Sequence, residues 1–157
     1  GVQTCALPIL MPASVAILAP GVNAFRRLRK NLTEPVFNSW GYNTRSAALR
    51  IPCSDESNRR IEYRLAGADA NPYLVAATIL TGMLYGLEHI DEGDLPEPQH
   101  DQPELPLFQQ EAIEAFARCQ YLTDSLGDAF SEQWVACKLS ELDWFERIVT
   151  QEESHLA

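Results

Sequence analysis

Arg59-Arg60-Ile61-Glu62-Tyr63-Arg64-Leu65 is the stretch on which the fold class turns. The alternation of a strand places Arg60, Glu62 and Arg64 on one face and Ile61, Tyr63 and Leu65 on the other. One face is ionic and the other packs. Upstream, residues 36–52 are rich in β-branched, aromatic and alternating residues, and the turn-like Cys53-Ser-Asp-Glu-Ser-Asn58 separates the two extended stretches. That pattern predicts a hairpin-like pair of strands.

Helices are expected on both sides of this pair. Residues 14–29 read as mostly helical, with a break or kink at Pro20-Gly21. After the strands, Asn71 reads as an N-cap and Pro72 as the first helical position. Tyr73, Ala77, Leu80, Leu84 and Leu87 then recur at helical spacing, and Ala76, Ile79 and Met83 widen the apolar surface, which predicts a buried helix. Residues 89–106 are acidic, proline-rich and aperiodic, a surface connection. Two amphipathic helices follow, near 110–122 and 131–152, the second with Val135, Leu139, Leu142, Phe145 and Val149 on one stripe. The expected class is therefore α+β, with antiparallel strands packed with helices and a helical C-terminal tail. Trp40, Trp134 and Trp144, far apart in the chain, read as packing residues.

Composition narrows the functional classes. The chain has 157 residues, 46% hydrophobic and 22% charged, enough for one globular domain or a large fragment of one. Its longest apolar run, residues 7–19, is short and holds two prolines, so no membrane span or membrane partner is expected. Net charge is -10, which repels nucleic acid. Cys5, Cys53, Cys119 and Cys137 form no CxxC pair, so reduced thiols in a cytoplasmic setting are expected. His89, His100 and His155 have no partner at ligand spacing.

Charge is unevenly spread. Nine of the 12 basic residues but only four acids (Glu34, Asp55, Glu56 and Glu62) lie between Arg26 and Arg64. Eight of those nine are arginine, whose planar fork grips carboxylate and phosphate through paired hydrogen bonds. A small, multiply charged anion suits such an island; ordinary surface ion pairing is the plainer reading. Arg60, Glu62 and Arg64 on one strand face suit a site that holds Mg²⁺ through a carboxylate and neutralises phosphate oxygens beside it. Asn43-Thr-Arg-Ser-Ala-Ala-Leu-Arg-Ile-Pro52 adds Arg45 and Arg50 on the preceding segment. Their spacing points them to opposite faces of a regular strand, so Arg45 belongs in the loop leading into the strand unless a bulge intervenes.

Four ordered stretches, Asn23-Ala-Phe-Arg-Arg-Leu28, Asn43 to Pro52, Arg60-Ile-Glu-Tyr-Arg64 and Asn71-Pro-Tyr-Leu74, resemble the C-terminal catalytic part of the glutamine synthetase superfamily. Arg64-Leu-Ala-Gly-Ala-Asp-Ala-Asn-Pro72 is similar to the γ-glutamylpolyamine (γ-glutamylputrescine) synthetase branch; ammonia-using members tend to have a Phe-Pro-Asp-Pro stretch there. The resemblance implies the catalytic-domain fold of that superfamily, truncated. It also implies ATP-dependent ligation of the glutamate γ-carboxylate to an amine through a γ-glutamyl phosphate, with Mg²⁺ or Mn²⁺ and a ring-shaped homo-oligomer. By position, Glu62 resembles the metal ligand, and Arg45, Arg50 and Arg60 the residues on the nucleotide. Arg27 and Arg64 resemble the glutamate-binding pair, while Arg45 and Arg64 meet the transferred phosphoryl group or acyl phosphate.

Ammonia-using members place a glutamate two residues before the proline of a mobile loop; counting back from Pro35, that place holds Thr33, with Glu34 one residue late. The expected acceptor is therefore a polyamine such as putrescine. The alternatives are an ammonia-using glutamine synthetase or a non-catalytic glutamine synthetase-like protein, and the retained arginine set favours an enzyme. Residues 1–9 resemble the translation of a sequencing adapter and are read as non-native, with 10–157 as a C-terminal catalytic-domain fragment that is inactive alone.

Overall fold

In the computed structural model of the chain, residues 2–30, 34–89 and 104–148 are described. Helix α1 (Val2–Leu18) and the short α2 (Val22–Phe25) precede three strands, β1 (Trp40–Tyr42), β2 (Leu49–Ile51) and β3 (Glu62–Tyr63). Helices α3 (Pro72–His89), α4 (Gln109–Arg118), α5 (Gln120–Leu126) and α6 (Asp128–Glu146) follow. The α+β class is as expected.

Helix α1 is the element around which the others assemble, packing on α3, α4 and α5. Met11, Val15, Ile17 and Leu18 are essentially inaccessible and join Phe116 and Leu122 in the core. Each such side chain contributes about 1.5–3 kcal/mol of transfer free energy. The helix begins well before Ser14, where sequence periodicity placed its start, and runs through Pro8 and Pro12. Pro12 has no N–H to give to the Pro8 carbonyl one turn back. That carbonyl instead accepts the Asn38 side-chain amide at 2.7 Å. The break at Pro20-Gly21 stands as predicted, between α1 and α2.

The sheet differs from the expected pair of strands. Residues 36–52 form two short strands, not one, joined by a loop over 43–48. β1 and β2 run parallel, with Trp40 opposite Leu49, while β2 and β3 are antiparallel, with Leu49 opposite Tyr63 and Arg50 opposite Glu62. β2 is therefore central. β3 is confined to Glu62 and Tyr63, because a short helical turn at Glu56–Asn58, capped by the Asp55 carboxylate, holds the preceding residues outside the ladder. Burial pushes the Tyr63 phenol well above its ordinary range, opposed by the Ser14 hydroxyl of α1, so β3 and α1 meet through these two side chains.

Helix α3 starts as its sequence predicts: the Asn71 side chain accepts from the backbone N–H groups of Tyr73 and Leu74, with Pro72 next in line. The predicted burial of its apolar stripe is not observed. Tyr73, Leu80, Leu84 and Leu87 are 84%, 61%, 48% and 60% exposed. The face turned to α1 is made of Thr78, Thr81, Gly82 and Gly86, flanked by Leu74, Val75, Ile79 and Met83. Small residues win that face because the helices lie close: a Cβ on Gly82 would fall 2.7 Å from Leu7 Cδ2.

The first predicted tail helix is two, α4 and α5, interrupted at Cys119. α6 starts earlier than expected, after Gly127 at φ 91°. Its stripe is only partly covered, Leu139 being exposed, and Val149 lies outside the described residues. Trp40 and Trp134 pack against the core, whereas Trp144 is 67% exposed and does not pack. Most of the predicted surface connection, residues 90–103, and Thr33, His100 and His155 lie outside the described residues. No described helix is long and apolar enough to cross a membrane.

Candidate functional site

The sheet register brings Arg50 of β2 and Glu62 of β3 face to face. Arg50 Nη1 donates to both carboxylate oxygens, at 3.1 and 2.8 Å, and Nη2 donates to Asn43 Oδ1 at 3.1 Å. Asn43 closes β1, so three strands converge on one guanidinium. The pair is half-buried, where charge-assisted bonds are stronger than in open water.

Arg64 follows β3 directly. Its backbone N–H donates to the Ala48 carbonyl at 2.9 Å and its Nη1 to the Ala47 carbonyl at 3.4 Å, fastening it to the loop that enters β2. Arg45 lies in that loop and is exposed, the first of the two placements that its spacing from Arg50 allowed. Arg60 precedes β3 and turns back, Nη1 donating to the Asn58 carbonyl at 3.4 Å. The fold thus joins Arg50 to Glu62 and lays Arg64 against the same strand. Arg45 and Arg60 stand at exposed positions around them.

Arg27 follows α2. Its Nη1 is 3.8 Å from Glu34 Oε1, and its Nη2 is buried without a hydrogen-bond partner among the described residues. A buried, unpaired guanidinium N–H is a strong donor awaiting a carboxylate or phosphate oxygen. A Cβ on Gly67 would fall 2.6 Å from this Nη2 and against Asp69 Oδ1, so a larger residue in the turn after Arg64 would push the ends of the Arg27 and Asp69 side chains aside. The Gly67 N–H donates to the Leu18 carbonyl at 2.9 Å, anchoring the turn to the end of α1. Asn43, Gly67 and Asp69 are the residues near these arginines that sequence reasoning did not single out; the signal at Asn43 is a turn-forming residue ahead of a loop.

Among the described residues no group of three or more His, Cys, Asp or Glu side chains could hold a metal ion. Glu62 alone, with both oxygens already engaged by Arg50, does not satisfy Mg²⁺, which demands near-octahedral oxygen ligation. These residues do not by themselves make a metal site. A cleft of about 500 Å³ lies apart, between α2, α4 and α6; Arg26 and Arg29 line it, and Arg27, Arg45, Arg50, Arg60 and Arg64 do not.

Residues 7–156 match the family described as glutamine synthetase, catalytic domain. The chain belongs to that family. It is 45% identical over 150 residues to γ-glutamylputrescine synthetase PuuA of Escherichia coli (strain K12), covering 92% of this chain and 31% of that protein. It is 36% identical to lengsin of Homo sapiens (81% of this chain, 27% of that protein) and 31% identical to glutamine synthetase of Pyrococcus furiosus (92% and 35%). The chain therefore spans about a third or less of the length of these glutamine synthetase-family relatives. The match begins at Leu7 and so overlaps the last residues of the segment read as non-native.

Proposed function

We propose that this chain supplies the phosphate-facing and glutamate-facing arginines of an ATP-dependent ligase that joins the γ-carboxylate of glutamate to a polyamine such as putrescine. The observation that carries the reading is the half-buried Arg50–Glu62 pair at the centre of the sheet, with Arg64 fastened beside it and Arg27 presenting a buried N–H that has no partner among the described residues. The 45% identity to a γ-glutamylputrescine synthetase supports the choice of amine.

In this reading the reaction has two steps. A γ-carboxylate oxygen of glutamate attacks the terminal phosphorus of ATP, the bond to the bridging oxygen breaks, and ADP leaves. The amine nitrogen then attacks the acyl carbon, phosphate departs with the carbon–oxygen bond electrons, and the nitrogen loses a proton. Both steps bring anions together, so the protein's task is charge cancellation and alignment. Arg27 and Arg64 hold glutamate, Arg50 and Arg60 hold the nucleotide phosphates, and Arg45, at the exposed loop, reaches the transferring group. Mg²⁺ or Mn²⁺, when bound, offsets phosphate charge. Among the described residues Glu62 is the ligand this reading gives the cation, and since a lone carboxylate does not hold Mg²⁺, this stretch by itself is expected to be inactive.

The loop acid bears on the amine. Glu34, one residue late for the ammonia-using pattern, lies 3.8 Å from Arg27; without a carboxylate two residues before Pro35 the entrance would be less hostile to the methylenes of an alkyl amine. The test is ATP-dependent phosphate release by the complete ligase with glutamate plus putrescine, spermidine, a monoamine or ammonia. Putrescine or spermidine is expected to give the fastest turnover; fast turnover with ammonia alone would reverse the assignment.

A further inference from the structure

Asn43 is the one non-glycine residue with positive φ among the described residues, at φ 50°. Left-handed backbone is costly for most side chains and tolerated by asparagine. Such outliers persist where surrounding structure over-determines them, and they gather at functional sites. Two contacts fix this one. The Asn43 N–H donates to the Ile51 carbonyl at 2.8 Å, continuing the contact between β1 and β2, and its Oδ1 accepts from Arg50 Nη2 at 3.1 Å. The chain then turns away into the loop that bears Arg45.

Arg50 is consequently held from both sides, by Glu62 on β3 at Nη1 and by Asn43 at the end of β1 at Nη2. The two holders differ in kind. Glu62 is a carboxylate with a second candidate duty toward a cation, and any oxygen it gives to a cation is shared with or withdrawn from Arg50. The Asn43 amide is neutral and has no such competing attraction. We propose that Asn43 is a positioning residue: its side-chain oxygen, presented by left-handed backbone, keeps the Arg50 guanidinium aimed when Glu62 is drawn elsewhere. Its value to phosphate binding rests on the reading of Arg50 as a nucleotide-facing residue; its hold on Arg50 does not.

Three substitutions separate the side chain from the backbone. Asn43→Gly keeps positive φ accessible and removes the oxygen, Asn43→Asp keeps both, and Asn43→Ala loses both. In the 157-residue chain labelled with ¹⁵N-arginine, and with Arg50 assigned through Arg50→Lys, the wild-type guanidinium is expected to rotate slowly about Cζ–Nε and show resolved Nη signals. Asn43→Gly is expected to speed that rotation on the order of tenfold while lowering the melting temperature less than Asn43→Ala does. Asn43→Asp restores slow rotation, and Asn43→Ala both rotates fast and melts earlier.

Equal rotation in wild type and Asn43→Gly would overturn the proposal, as would an Asn43→Gly chain that melts as early as Asn43→Ala. Titration with ATP, read on the Arg50 Nε shift, adds the functional arm. Where the wild type binds ATP, binding about tenfold weaker in Asn43→Gly is expected, and equal binding in the two would overturn the positioning role while leaving the ligase reading intact. A wild-type Arg50 that ignores ATP, yet rotates faster in Asn43→Gly, would sink the nucleotide-facing reading and keep Asn43 as the residue that aims Arg50.

Discussion

Arg50 and Glu62 sit directly opposite each other on neighbouring antiparallel strands, and one nitrogen, Arg50 Nη1, serves both carboxylate oxygens. Their side chains are 19% and 35% exposed. Other ion pairs, such as Arg118 with Glu114 at 74% and 49%, join side chains in open solvent. The difference matters, because exposed pairs contribute about 0–1 kcal/mol whereas a guanidinium stripped of its partner inside a fold is costly.

Glu62→Ala is therefore expected to destabilise the chain by about 1–2 kcal/mol, the range for losing a charged hydrogen-bonded partner discounted for partial exposure. Glu114→Ala should stay within about 0.5 kcal/mol. Urea denaturation of the two variants compares them directly. In the complete ligase, Glu62→Ala is also expected to abolish Mg²⁺-dependent turnover; an unchanged Mg²⁺ dependence would refute Glu62 as a metal ligand.

Gly82→Ala tests how tightly α1 and α3 are packed. The added methyl would lie 2.7 Å from Leu7 Cδ2, and overpacking of this kind costs about 1–3 kcal/mol. At Gly127 a Cβ meets nothing within 4 Å, but φ is 91°, so Gly127→Ala should lose stability through backbone strain alone. Pairing Gly82→Ala with Leu7→Ala in a double-mutant cycle should recover part of the first loss, whereas Gly127→Ala should remain additive with Leu7→Ala.

The α3–α5 contact carries a pH signature. Tyr121 donates its hydroxyl to Glu88 Oε2 at 2.6 Å, and that bond, then desolvation and the Glu88 charge, push its phenol up from 10.0 to about 12. A proton held more tightly in the folded chain stabilises the fold fully below the ordinary tyrosine value. That contribution disappears as pH rises from about 10 toward about 12. Ultraviolet titration should show Tyr121 ionising late, and Glu88→Gln should bring its ionisation down. A late phenol unaffected by Glu88→Gln would assign the shift to another cause.

Leu80→Glu and Leu84→Glu are expected to change stability by no more than about 0.5 kcal/mol despite their place on the most apolar stripe of α3. Phe116→Ala, at a fully buried position, should cost about 3–5 kcal/mol. Thermal melts of the three variants would distinguish an open α3 face from a covered one.

The contrast between those positions shows what was legible in the sequence. The helix over Pro72–His89, its Asn71 cap and the break at Pro20-Gly21 follow from local chemistry, and all three are present. Which face of α3 turns inward was not legible. Hydrophobicity pointed to Tyr73, Leu80 and Leu87, but close helix approach selected Gly82 and Gly86, a choice that depends on α1. The parallel pairing of β1 and β2 was hidden likewise, because alternation gives strand faces and says nothing about neighbours. At the candidate site, Arg45 was correctly assigned to a loop by the parity of its spacing from Arg50. The Asn43 contact with Arg50 was not foreseen, since it arises from one left-handed residue and not from a pattern.

Two prolines within α1 leave a deeper mark than a local kink. With the Pro8 carbonyl satisfied by the Asn38 amide, a side chain 30 positions along the chain, the ladder of this central helix is finished by a residue from the approach to the sheet. A peptide cut from residues 2–18 would leave that acceptor to solvent. In the chain itself that carbonyl is satisfied only where the helix meets the approach to the sheet, so part of what completes the central helix is tertiary.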